Sequence, residues 1–169
     1  MRTALFLILI FELIPSFSFA RSACSSIPSN KEINNVDAAE ELLKDSDLTG
    51  RELAGKFVFL RLRYTVIQRR RLDKNWATDF PTADCYVQEV LKQLTTITVQ
   101  EGLFAINADD KNLMRFPFLF STEPGSMELN GQEAMGLARY LEKGGFWFIS
   151  DFWGDQELEH LKDEIKKIQ

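Results

Sequence analysis

Short, almost uninterrupted apolar segments alternate with amphipathic segments over residues 57–165, and this alternation most constrains the fold. A strand that is apolar on both sides requires a sheet covered on both faces, which is typical of parallel sheets. Helical periodicity between such strands favours βαβ units. The sequence therefore predicts an α/β domain with a three-layer, mainly parallel sheet. The predicted strands are Phe57–Tyr64, Thr95–Val99, Phe116–Phe120 and Phe146–Ser150, and the predicted helices are Thr82–Leu94, Gly131–Lys143 and a last helix capped by Asp155.

Residues 144–154, Gly-Gly-Phe-Trp-Phe-Ile-Ser-Asp-Phe-Trp-Gly, indicate where a ligand site would lie. The glycine pair ends a helix, an apolar strand follows, and an aspartate with aromatic neighbours stands where that strand ends. In open α/β sheets, ligands bind in the crevice outside the carboxyl ends of the strands. The phenylalanines within the strands, Phe118, Phe146 and Phe148, are expected in the core.

The N-terminus has the features of a secretory signal peptide. Arg2 supplies a positive start, Ala4–Ile10 is an apolar run, and Ser18-Phe19-Ala20 offers small residues for a signal peptidase. The run is shorter than the roughly 20 apolar residues that a membrane-spanning helix needs. We therefore predict cleavage after Ala20 and export to the periplasm or the medium, with no stable membrane span afterwards; a retained anchor is the alternative.

The rest of the chain divides into two parts. Residues 21–55 read as a polar leader that contains a short helix, Val36–Lys44, and residues 56–169 as the α/β domain. Cys24 and Cys85 are the only cysteines. In an oxidising compartment they can form a disulfide; in the alternative, Cys85 is a small buried helical residue and Cys24 lies in a mobile leader.

Charge and ligand spacing exclude several classes of function. The net charge is −5, and nucleic-acid binding relies on clustered lysines and arginines, so no nucleic-acid partner is expected. The sequence has no Cys-x-x-Cys motif and no paired Cys/His spacing, and its acidic residues show no regular ligand spacing. We therefore predict neither a metal nor a cofactor.

Polar and aromatic residues gather where the predicted strands end, and in a parallel sheet these ends meet at one edge. Arginines that face carboxylates between aromatic walls can hold a small polar ligand, and they can equally pair with one another in a network that fixes loops. Both interpretations remain open from the sequence. The candidate ligand-binding residues are Arg61, Arg63, Trp76, Asp79, Asp84, Glu123, Asp151 and Trp153.

Catalytic motifs are largely missing from the sequence. It contains no Gly-x-Ser-x-Gly elbow, Cys85 lacks an evident partner, and the single histidine, His160, is expected on the surface of a helix. A carboxylate-dependent hydrolase remains the alternative, with Asp151 or Glu123 as the acid–base group.

The order of several motifs resembles a bacterial family known as domain of unknown function 4159. The resemblance covers about residues 57–165. It implies a flavodoxin-like sheet similar to that of class I glutamine amidotransferases. The motifs are Phe-Val-Phe-Leu-Arg-Leu-Arg-Tyr at 57–64, Trp-Ala-Thr-Asp-Phe-Pro-Thr-Ala-Asp at 76–84, Phe-Pro-Phe-Leu-Phe at 116–120, Glu-Pro-Gly at 123–125 and Asp-Phe-Trp-Gly at 151–154.

The resemblance carries no established reaction with it. Residues 121–123, where an amidotransferase nucleophile would stand, include no cysteine, so glutaminase activity is not expected. Such sequences often carry a second aspartate where this chain has Ser150, and they usually continue past the last predicted helix. The expected function is a non-catalytic, exported module that binds a small polar or carbohydrate-like ligand, or a protein partner; a truncated relative without activity is a further alternative.

Overall fold

A computed structural model of the chain describes residues 24, 36–43, 53, 55–66 and 75–168. The predicted signal peptide and most of the polar leader lie outside the described residues. The short helix predicted within the leader is present as α1, Val36–Leu43. Among the described residues, no helix combines the length and the apolar character needed to cross a membrane.

Among the described residues, the sheet has four strands, which run parallel in the order β2-β1-β3-β4. This arrangement confirms the predicted α/β fold with a parallel sheet. The order of these four strands matches the first four positions of the flavodoxin-like order 2-1-3-4-5. The strands are β1, Arg61–Arg63; β2, Ala105–Asn107; β3, Phe118–Ser121; and β4, Phe146–Ile149.

Three further helices connect or follow the strands: α2, Thr82–Leu94, α3, Gly131–Glu142, and α4, Gly154–Lys166. Helix α3 begins with a capping box, in which the Asn130 side chain accepts from the backbone of Glu133 and the Glu133 carboxylate accepts from Asn130 N–H. Two 3₁₀ helices, Lys111–Arg115 and Pro124–Ser126, flank β3.

The predicted second strand, Thr95–Val99, is wrong. Residues 95–98 are exposed, and Val99 only bridges to Phe57, whereas β2 begins at Ala105. Buried Gln88 of α2 explains the delay, because its amide donates to the Gly102 carbonyl and accepts from the Gly102 N–H at 2.8 and 3.1 Å. Gly102 has φ +142°, which strains any other residue, so the chain turns there before the strand starts.

Two other boundaries differ from the prediction. Regular pairing in the first strand covers only Arg61–Arg63, although Val58, Phe59 and Leu60 before it are buried. Asp155 does not cap α4: the N-cap residue is Trp153, and Asp155 lies in the first turn, where an acidic side chain still favours the helix dipole.

The two faces of the sheet differ in character. The alternate side chains Val58, Leu60 and Leu62 join Leu119 and Leu137 in the main core. The other face carries a ladder of phenylalanine rings 5.1–6.0 Å apart: Phe57, Phe59, Phe118, Phe120, Phe146 and Phe148.

The prediction that Phe146 and Phe148 are core residues is wrong, since they are 59% and 48% exposed. They lie on β4, which is the edge strand of the sheet, so each ring has a neighbouring strand on one side only. Phe118, on the adjacent strand, is partly buried.

Cys24 and Cys85 form a disulfide, with their Cα atoms 5.5 Å apart. The bond ties the leader to the first turn of α2 and resolves the alternatives that the sequence left open. Cys85 is partly buried and follows Asp84, which is fully buried.

We expect loss of this disulfide to lower the free energy of unfolding by roughly 4 kcal/mol, because it closes a loop with a sequence separation of 61 residues. Urea unfolding of the protein with and without dithiothreitol measures this difference. The Cys24→Ser/Cys85→Ser variant serves as the control, since dithiothreitol should leave its unfolding unchanged. Equal stability of the oxidised and reduced proteins would contradict the prediction.

Candidate functional site

Arg61 lies at the centre of the predicted site and is completely buried. Its Nε donates to Asp84 Oδ1 at 3.1 Å and its Nη2 to Asp84 Oδ2, which makes a bidentate pair. Its Nη1 donates to the carbonyl oxygens of Trp76 and Thr78 at 2.8 and 2.9 Å. The guanidinium thus joins β1, the loop 75–80 and the start of α2, and the internal ion pair that the sequence left as an alternative is present.

Aromatic rings complete the surroundings of this ion pair. The Arg61 guanidinium carbon lies 5.0 Å from the centroid of the Phe120 ring and 5.6 Å from that of Phe80. Trp76, another predicted ligand residue, is 3% exposed and belongs to the core. Burial raises the pKa of the Asp84 carboxyl above its ordinary value, and the neighbouring charge and hydrogen bonds of Arg61 oppose that shift.

Arg63 lies two residues further along β1 and closer to the surface. Its Nη1 donates to Glu40 Oε2 at 2.7 Å, and its side chain is 28% exposed. Its Nε is buried and has no hydrogen-bond partner within the described part of the chain. The Arg63–Glu40 pair fixes α1 to the end of β1, a contact that the sequence analysis missed.

Tyr64 fixes the turn after β3 through hydrogen bonds of its hydroxyl group. The Tyr64 hydroxyl lies 2.8 Å from the carbonyl oxygens of both Thr122 and Glu123, and 3.2 Å from Ser126 Oγ. Ser126 Oγ also donates to the Glu123 carbonyl at 3.0 Å. Burial raises the pKa of Tyr64 far above its ordinary value, because a buried phenolate would lose its hydration. A neutral tyrosine therefore anchors the tip of β3.

Asp151 and Trp153 form the exposed part of the site, beyond the end of β4. Thr122 Oγ1 donates to Asp151 Oδ2 at 3.1 Å, which joins the tips of β3 and β4. Trp153 is 65% exposed, and Phe152 beside it is 44% exposed. The Trp153 N–H donates to Glu157 Oε2 at 2.6 Å, so the start of α4 fixes the backbone of this aromatic residue.

Three predicted acidic residues share an unusual backbone conformation. Asp79, Glu123 and Asp151 have φ of 58°, 50° and 60°, in the left-handed region that non-glycine residues seldom occupy. Such conformations cost free energy and persist only where neighbouring contacts impose them. Asp79 is partly buried, Glu123 is 6% exposed and Asp151 is exposed, so Asp151 is the carboxylate most open to a ligand.

Five of the eight predicted residues form two groups, and Arg63, Asp79 and Glu123 belong to neither. Arg61, Trp76 and Asp84 are buried together and bond to one another, whereas Asp151 and Trp153 reach the solvent. No cluster of three potential metal-ligating side chains occurs within residues 24, 36–43, 53, 55–66 and 75–168.

His160 was expected on the surface of a helix, but it is partly buried. Its Nε2 donates to the Met127 carbonyl at 2.7 Å and so holds α4 against the turn after β3. Thr122 and Ser126, which organise that turn, were not among the predicted ligand-binding residues; Thr122 directly follows an apolar strand, whereas no sequence signal marks Ser126.

We expect Arg61→Met to lower the free energy of unfolding by about 3–5 kcal/mol, because it leaves the Asp84 carboxylate buried without its partner. The matched control is Arg63→Met, which removes a partly exposed ion pair worth about 0–1 kcal/mol. Urea unfolding measures both. The double variant Arg61→Met/Asp84→Leu should recover part of the loss, since it buries no unpaired charge. Equal losses for Arg61→Met and Arg63→Met would contradict this role.

We also expect the folded state to lose stability in alkali. The raised pKa of Tyr64 means that the unfolded chain releases its phenolic proton first, so the free energy of unfolding falls above about pH 10. Burial also raises the pKa of Tyr140, to about 12. Tyr64→Phe should reduce the slope of stability against pH in this range, whereas the control Tyr86→Phe, at a ring that is 68% exposed, should not. Urea unfolding across this pH range tests the difference, and identical slopes would contradict it.

Comparison with known proteins identifies a family. Neither a curated protein nor a solved structure matches the chain. The likeness to class I glutamine amidotransferases therefore stays a prediction. The structure itself supplies only the strand order β2-β1-β3-β4. The family model described as "Domain of unknown function (DUF4159)" matches residues 58–169, a span that includes all four strands and every candidate site residue. The chain belongs to this family.

Proposed function

We propose that this chain is an exported, non-catalytic binding module, which holds a carbohydrate-like ligand at the tips of β3 and β4. The observation that carries the proposal is the exposed indole of Trp153 close in sequence to Asp151, whose carboxylate is fixed by Thr122. Asp151 is exposed and stands on the carboxyl side of the sheet, where ligands of open α/β folds bind.

The chemistry of these side chains suits a sugar better than a charged metabolite. An exposed aromatic ring offers a flat apolar surface, on which the C–H face of a pyranose packs. An ionised aspartate accepts hydrogen bonds only, and sugar hydroxyls are donors that can supply them. The two nearby arginines, Arg61 and Arg63, already donate to Asp84 and Glu40, so the tip offers an anionic ligand little charge compensation.

Export is supported by two features of the chain. The Cys24–Cys85 disulfide is typical of proteins from oxidising compartments. The N-terminal sequence has the order of charge, apolar run and small residues that a signal peptide requires, with cleavage proposed after Ala20. A protein exported in this way meets the glycans of the cell envelope and its surroundings.

We expect Trp153→Ala to weaken sugar binding by at least about tenfold while the melting temperature stays nearly unchanged, since the ring is exposed. A thermal-shift screen with oligosaccharides of glucose, xylose and N-acetylglucosamine identifies the probe, and calorimetry measures its affinity. The matched control is Tyr86→Ala, which removes an aromatic ring of similar exposure on α2, 68% against 65%. No stabilisation by any sugar, with the fold intact, would contradict the proposal.

Asp151→Asn tests the polar half of the same site. It should weaken binding of the sugar found in the screen, whereas Asp155→Asn, on an exposed residue of α4, should not. Chromatography of the incubated sugar completes the experiment. Shortened products that disappear in Asp151→Asn would overturn the non-catalytic part of the proposal in favour of a carboxylate-dependent hydrolase.

A further inference from the structure

A pair of adjoining clefts lies between the 3₁₀ helix Lys111–Arg115 and α3, away from the tips of β3 and β4. One cleft has a volume of about 300 Å³ and the other about 220 Å³, and Met114 and Lys143 line both. The smaller cleft reaches Phe116 and Gly145, which precede β3 and β4. Together they approach the size of an ordinary small-molecule site.

Basic side chains surround these clefts, although the chain as a whole carries a net charge of −5. Lys111 and Arg139 line the larger cleft, Arg115 lines the smaller, and Lys143 lines both; all four are exposed.

Three of these cations, Lys111, Arg139 and Lys143, differ in their pairing from most basic residues that the structure describes; Lys56, whose Nζ donates to Gln100 Oε1, is a further exception. Six other lysines and arginines form ion pairs with carboxylates: Arg61, Arg63, Lys92, Lys162, Lys166 and Lys167. Lys111, Arg139 and Lys143 form none within the part of the chain that the structure describes. Three unneutralised cations around one cleft produce a local positive potential that attracts an anion.

The helix dipole accounts for only part of this arrangement. Arg139 and Lys143 lie at the C-terminal end of α3, where a cation is favourable without any ligand. Lys111, however, is the first residue of its 3₁₀ helix, where the dipole disfavours a positive charge. The helix dipole therefore does not account for its position beside the other two.

The acidic residues at the cleft do not cancel its charge. Asp109 and Asp110 also line the larger cleft. The Asp110 carboxylate accepts from the Asn112 backbone N–H at 2.8 Å and from its side chain at 3.0 Å, and so caps the 3₁₀ helix. At the larger cleft, Lys111, Arg139 and Lys143 face these two carboxylates.

Gly136 lines the larger cleft at a point where α3 passes very close to the end of β2. A Cβ atom at this position would lie 1.9 Å from the Ala108 carbonyl oxygen, so only glycine lets α3 approach the end of β2 this closely. That approach brings Arg139, one turn further along α3, to the same cleft as Lys111.

We propose that these clefts bind a small, multiply charged oxyanion, held by Lys111, Arg139 and Lys143. Arginine binds the paired oxygens of a phosphate or carboxylate group through its planar fork, and lysine adds point charges that need no fixed geometry. Phosphate and carboxylate groups share this chemistry, and the test separates them.

The test uses the full chain with its disulfide intact and two probes, pyrophosphate and citrate, each measured by calorimetry at physiological ionic strength. Arg139→Gln/Lys143→Gln should weaken binding by at least about tenfold. The matched control is Lys162→Gln/Lys166→Gln, which changes the net charge equally at two exposed lysines of α4 that already have carboxylate partners. Lys111→Gln alone provides a second variant if the double variant does not fold.

Saturable binding of either probe that only the cleft variants weaken supports the proposal, and the tighter probe identifies a phosphate or a carboxylate ligand. Equal weakening by the cleft variant and the α4 control would overturn it, because binding would then follow net charge alone. Absence of saturable binding of both probes would overturn it as well. None of these outcomes bears on sugar binding by Trp153.

Discussion

The buried ion pair between Arg61 and Asp84 is the interaction on which the rest of the structure depends. A guanidinium removed from water is costly unless its donors are satisfied, and here four hydrogen bonds and two flanking rings surround it. Because its partners come from the loop 75–80 and from α2, one side chain sets how both segments pack on β1. Arg61, which the sequence predicts to bind a ligand, thus stabilises the site from within through its buried hydrogen bonds.

Helix α2 extends this polar packing to the edge of the sheet. Its buried residues are Asp84 and Gln88, one turn apart, while Val90 and Leu94 of its apolar stripe are 49% and 77% exposed. Asp84 fixes the helix to β1 and Gln88 fixes it to Gly102, the turn before β2. Two specific polar contacts therefore connect α2 to both edges of this packing, while pairing with β1 and burial of Ile106 place β2 itself.

The contrast between periodic apolar patterns and specific polar contacts explains what the sequence could and could not predict. Parallel strands and the bounds of α2 and α3 follow from local periodicity, which the sequence displays directly. The mistaken strand Thr95–Val99 has the β-branched composition of a strand. The hydrogen bonds between Gln88 and Gly102 fix the turn after which β2 starts, and no periodic pattern in the sequence indicates them. In the site, the residue types and their common edge were predictable. Which arginine is buried and which aspartate is exposed depends on tertiary contacts such as those of Asp84 and Glu40.

The strained turn after β3 links this support to the exposed tip. Glu123 keeps a left-handed backbone because Tyr64 and Ser126 hold its carbonyl, and Tyr64 directly follows β1. On the other side, a side chain at Gly125 would collide with Glu157 of α4, whose carboxylate accepts the Trp153 N–H. The tips of β3 and β4 are therefore fixed from both the core and α4, and Thr122 holds Asp151 between them. A loop constrained in this way leaves Asp151 little freedom, which would lower the entropic cost of binding the proposed sugar ligand.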